Sequence, residues 1–105
     1  MISIKKGDRR PAITSTFEAP AGTPVDLTGA SVTFRMVPQG SATAKVNASA
    51  SVVDAKGGRV RYDWQTVDTD TTGVFDAEWV VTYGDGTQQT FPPTGFLTVT
   101  ISDRA

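Results

Sequence analysis

Apolar residues recur at every second position along most of this chain, the spacing of a pleated strand with one buried face rather than of a helix. Residues 12–18 set Ile13, Ser15 and Phe17 on one side and Thr14 and Thr16 on the other. Residues 30–37 repeat this with Val32, Phe34 and Met36 opposite Thr33 and Arg35. A run of smaller residues over 45–54 places Val46, Ala48, Ala50 and Val52 together, which predicts an edge strand or a place of close sheet approach. The sharpest amphipathic segment is 59–64, where Val60, Tyr62 and Trp64 oppose Arg59, Arg61 and Asp63. Residues 74–83 then put Phe75, Ala77, Trp79, Val81 and Tyr83 inward, 87–91 form a return strand, and Leu97, Val99 and Ile101 close the pattern.

Between these runs stand residues that withhold ladder donors or supply unusual backbone angles. They are the Pro and Gly residues of 19–24, Pro38-Gln39-Gly40, Lys56-Gly57-Gly58, Gly84-Asp85-Gly86 and Pro92-Pro93-Thr94-Gly95. Gly84-Asp85-Gly86 reads as a hairpin turn with positive φ angles, and lacks the following helix and lysine of a phosphate loop. Seven to nine short strands at roughly ten-residue spacing predict an all-β, immunoglobulin-like antiparallel β-sandwich, a single domain over 1–105. A small closed barrel of the same strands is the alternative.

Composition narrows the chemistry. The chain has 105 residues, enough for one core, and no apolar run long enough to span a bilayer as a helix. Ten basic and eleven acidic residues leave a net charge of -1, which argues against a nucleic-acid or anionic-membrane partner. There is no Cys for a disulfide or a thiolate metal site, and no His, the usual general base and metal ligand near neutral pH. The amino terminus becomes charged at Lys5 and Lys6, too early for a secretory signal, so synthesis in the cytoplasm is the expectation.

Several residues invite a functional reading beside a structural one. Asp63, Asp68, Asp70 and Asp76 have the oxygen chemistry for calcium, yet Asp near turns more often caps backbone donors. The same acids offer carboxylate pairs for glycoside hydrolysis, but a small sandwich provides no deep cleft to shift their pKa values. Trp64 and Trp79, with Tyr62, suit either core packing or a sugar-stacking platform. Residues 68–77 have the layout that precedes strand F of immunoglobulin-like domains, with Phe75 where a corner tyrosine would stand and Ala77 in place of a cysteine. No enzyme and no cofactor are expected. Lys5, Lys6, Arg9 and Arg10 form a basic cluster, read either as a mobile solvated arm or as a steering patch for an acidic partner surface.

Two phrases taken together carry a family resemblance: Ile4-Lys5-Lys6-Gly7-Asp8-Arg9-Arg10-Pro11, and residues 22–36 with Pro24-Val25-Asp26-Leu27-Thr28-Gly29 at their centre. With Gly58-Arg59-Val60-Arg61-Tyr62-Asp63-Trp64, the turn over 70–75 and Tyr83-Gly84-Asp85-Gly86-Thr87, the chain resembles the amino-terminal immunoglobulin-like domain of phage baseplate upper proteins and related small tail and virion proteins. The resemblance implies a virion structural protein, non-catalytic, that docks onto other tail, baseplate or capsid proteins in a homo- or hetero-oligomeric assembly. Capsid decoration or minor head protein is one alternative; a carbohydrate-binding or adhesion module is another. The expected contact positions are Ile2 and Ile4 with Lys5, Lys6, Arg9 and Arg10, and the outward apolar residues Val37, Val53 and Phe96.

Overall fold

The structure, a computed structural model, describes residues 2–19, 22–65, 67–92 and 95–104. The turn positions Pro20, Ala21, Pro93 and Thr94 lie outside the described residues. Eight strands follow in chain order: β1 (Ile2–Lys5), β2 (Ile13–Thr16), β3 (Ser31–Pro38), β4 (Val46–Asp54), β5 (Arg59–Tyr62), β6 (Gly73–Thr82), β7 (Gln88–Phe91) and β8 (Leu97–Ser102). They pair in the order β1-β8-β6-β3-β4-β5-β2, with β7 on the later half of β6, on the side that β8 takes along its first half. All pairings are antiparallel except β1 with β8, which runs parallel from Ile2 opposite Val99 to Lys5 opposite Ser102.

The expected all-β sandwich is therefore present, and β4 makes its corner. Residues 46–50 of β4 pair with β3, whereas Ser51, Val52 and Asp54 pair with β5, so one strand serves both layers. A register shift between Val52 and Asp54 marks the bend and leaves Val53 outward, 61% exposed. The small residues Ala48 and Ala50 suit that close turn, but the strand is no edge, and the edge alternative for this segment is corrected.

Between the layers lies an aromatic core in which Phe34 of β3 is central. Its ring stacks on Tyr62 at 4.9 Å, meets Trp64 edge-on at 5.8 Å and tilts against Trp79 at 4.9 Å. Offset and edge-on contacts of this kind are the arrangements that aromatic quadrupoles favour. Trp79 Nε1 is buried with no hydrogen-bond partner. At one end of the sandwich Phe17, just past β2, stacks on Phe91 of β7 with centroids 4.3 Å apart and planes 4° from parallel. These contacts join residues on β2 and β5 to residues on β3, β6 and β7, which is what makes the fold two-layered.

Gly58 supports this packing through its backbone. It has φ +68, and a Cβ there would come within 2.6 Å of the Phe17 carbonyl oxygen and 2.9 Å of that of Val25. The close approach lets Phe17 N–H donate to Gly58 O at 2.8 Å and extends the β2–β5 ladder. In the β6–β7 hairpin Gly86 takes the positive φ, while Asp85 Oδ1 accepts from the backbone N–H and the hydroxyl of Thr87.

Candidate functional site

The amino-terminal segment is not the mobile arm that its charge suggested. Ile2 and Ile4 alternate like any strand, and pairing with β8 turns Ile4 into the core at 7% exposure while Ile2 packs partly against it. Ile4 therefore gives most of its surface to the core and only a little to the outside. The turn that follows is tied down from three directions. Lys6 N–H donates to Ser102 O at 2.7 Å, Gly7 N–H to Thr69 O at 2.9 Å, and Arg104 bonds Lys6 O and the Asp8 carboxylate. Thr69, fully buried, donates its hydroxyl to Asp8 O at 2.9 Å. Lys5, Lys6, Arg9 and Arg10 are consequently held on a fixed framework with exposed side chains.

The two terminal strands of the pairing order, β1 and β2, face one another across the side of the sandwich opposite the β4 corner. Adjoining recesses follow this seam. Ile2, Ile4, Pro11, Ala12, Ile13 and Trp64 line a recess of about 200 Å³ between the two strands. It shares Pro11, Ala12, Thr14 and Trp64 with a wider concavity of about 950 Å³ that Arg9, Arg10, Arg61 and Asp63 also bound. Arg61 Nε pairs with Asp63 at 2.8 Å. Among the described residues, Arg9 and Arg10 have no acidic partner within ion-pair distance. Further along β2, Ser15, Thr16 and the stacked Phe17 and Phe91 line a recess of about 250 Å³ with Leu97.

Val37 and Phe96 come together elsewhere, in a groove of about 340 Å³ on the outer face of the larger layer, beside Pro38, Ala42, Arg35 and Glu78. Phe96 is 57% exposed and Val37 partly so. Val53 stands apart at the β4 bend. The nine expected contact positions therefore fall into a basic seam, where Ile4 is mostly buried, an apolar groove and an isolated valine.

The carboxylates do not assemble. Asp63 pairs with Arg61, Asp70 with Lys45 at 2.6 Å, and Asp76 accepts from Gln39 Nε2 at 3.1 Å. Asp68 is buried, and accepts from the Tyr62 hydroxyl at 2.5 Å and from Gln65 N–H at 2.7 Å. Among the described residues no three acidic side chains converge on a point where a metal ion would sit. Burial, followed by the bond to Asp68, pushes the Tyr62 hydroxyl well above its ordinary pKa. This Tyr–Asp bond was not anticipated: the strand-F layout drew attention to Phe75, while the hydroxyl that ties the turn sits earlier, on β5. Hydrogen bonds, chiefly from Thr28, Lys45 and Thr87 respectively, hold the exposed Asp26, Asp70 and Asp85 below the usual carboxylate range.

The aromatic platform required for sugar stacking is absent from the surface, since Tyr62, Trp64 and Trp79 are 3%, 3% and 1% exposed. The adhesion reading thereby loses the residues it was built on.

Comparison with known proteins adds the rest. The family profile described as the BppU N-terminal domain matches residues 2–103. Among solved structures, that of CopC from Methylosinus trichosporium OB3b is similar in fold, with a TM-score of 0.57 at 13% identity, covering 99% of this chain and 85% of that one. No curated protein matches the chain.

Proposed function

Because the chain belongs to the BppU N-terminal domain family, a family of phage baseplate structural domains, we propose that it is a virion component that holds neighbouring baseplate or tail proteins and catalyses no reaction. The profile match over residues 2–103 carries this reading, because it spans every strand of the sandwich. Physical support comes from the surface. A small rigid domain with unpaired strand edges can add to a neighbour's sheet, and repetition in a symmetric particle converts weak contacts into firm attachment. The contact surfaces on this reading are the basic seam with Lys5, Lys6, Arg9 and Arg10 beside Ile2, the groove of Val37 and Phe96, and Val53. Tagged chain expressed during infection is expected to sediment with purified baseplates or tails. Its recovery with heads would favour the decoration alternative, and its absence from particles would overturn a virion role.

A further inference from the structure

The two margins of the sandwich are unequally finished, and the difference identifies a docking edge. In β2 the ladder to β5 continues through Phe17 N–H donating to Gly58 O at 2.8 Å, so Phe17, Ser15 and Ile13 turn their backbone groups toward β5. By the alternation of an antiparallel ladder, the N–H and C=O groups of Thr14 and Thr16 then point away, to a side on which no described strand lies. Both threonine side chains are exposed, so a chain approaching this edge meets neither a bulky apolar residue nor a proline within β2. The edge also has the wrong sign to repel everything equally. Arg9 and Arg10 stand beside it without acidic partners among the described residues; on the neighbouring strand Arg61, paired with Asp63, and Arg59, opposite Asp54, continue the basic strip, and Glu18 follows just past the end of β2.

We infer that the free edge of β2 receives an extended acidic segment of another virion protein, which adds as a further strand to the β5–β2 layer with its carboxylates on Arg9 and Arg10. Charge complementarity selects this occupant over a second copy of the chain: its β1 edge carries Lys5 and its own β2 edge stands beside Arg9 and Arg10, which would bring like charges together, while β7 (Gln88–Phe91), which pairs with β6 alone, has no carboxylate to offer. The backbone supplies affinity and the arginines supply choice of partner, as strand addition generally divides those tasks. The inference rests on the virion-docking reading above.

The test is a photo-crosslinking side chain at Thr16 in chain carried by assembled particles, with adducts mapped by mass spectrometry. The expected adduct lies on a different virion protein, within a segment carrying at least two acidic residues. The double reversal Arg9→Glu, Arg10→Glu should cut its yield about tenfold or more while leaving the thermal midpoint of the purified chain unchanged. An adduct on another copy of this chain, on a segment without acidic residues, or of the same yield after reversal would overturn the inference while leaving the docking role standing. Thr14→Pro, which removes an outward N–H and none from the ladder, should lower the yield likewise, and an unchanged yield would count against strand addition. If the unmodified chain does not enter particles at all, it is the virion role that fails.

Discussion

At the β4 corner one strand passes from layer to layer, and the backbone of both neighbours is bonded to it; along the β1–β2 seam two strands face each other and, among the described residues, no further strand pairs with their outer edges. The first margin uses its hydrogen-bonding capacity within the fold; the second leaves part of it open. Small residues on alternate positions made the corner possible, since Ala48 and Ala50 let the strand bend where larger side chains would hold the layers apart. A proline and arginines mark the seam, where Pro11 sits between the exposed Arg10 and the partly buried Ala12. On the proposed reading, stability and docking in this small sandwich are separated by margin instead of by domain.

The sharpest way to break the finished part is to empty its centre. Trp79→Ala should cost about 3–5 kcal/mol in chemical denaturation, the range for truncating a buried aromatic. Trp79→Phe should cost less than half as much, because it also removes an indole N–H that is buried without a partner. Next comes a pair of prolines. Thr33→Pro, in a strand bonded on both sides, should destabilise by at least about 2 kcal/mol more than Thr14→Pro at the free edge, where the lost N–H points outward. Equal costs would mean that the seam is not an open margin.

Gly58→Ala comes third, at about 2 kcal/mol, since it places a Cβ at positive φ against two carbonyl oxygens. The smallest effect is that of Tyr62→Phe, about 1–2 kcal/mol from the lost bond to buried Asp68. It carries a pH signature. Tyr62 is raised in the folded state above its ordinary value of 10.0, so its contribution is complete below that pH and falls away as pH rises beyond it. The alkaline loss of stability in the parent should be shallower in the phenylalanine variant, as read from thermal midpoints across that range.

Much of this was legible in the chain, and the exceptions have a common cause. Strands β3, β5 and β6 announce themselves because one face alternates large apolar residues with polar ones, and Phe34, Tyr62 and Trp79 are buried as their spacing required. Strand β1 has only Ile2 and Ile4 amid charge, and what makes it a strand is β8, nearly a hundred residues away, a partner that no local pattern reveals. The β4 segment looked marginal for the opposite reason: its small residues signal closeness of layers without saying that one strand joins both. The Tyr62–Asp68 bond escaped notice because both residues had other readings, one as core and one as turn cap. Of the candidate contacts, the basic group was readable as a cluster, but its placement along an unpaired edge depends on the order in which strands pair.

Amide hydrogen exchange compared between the isolated chain and purified baseplates containing it tests the central claim most directly. Thr14 and Thr16 should exchange rapidly in the free protein and gain protection of about tenfold or more in the particle, with Thr33 slow in both. Slow exchange at Thr14 and Thr16 in the free chain, or no change on assembly, would contradict an edge held open for a partner.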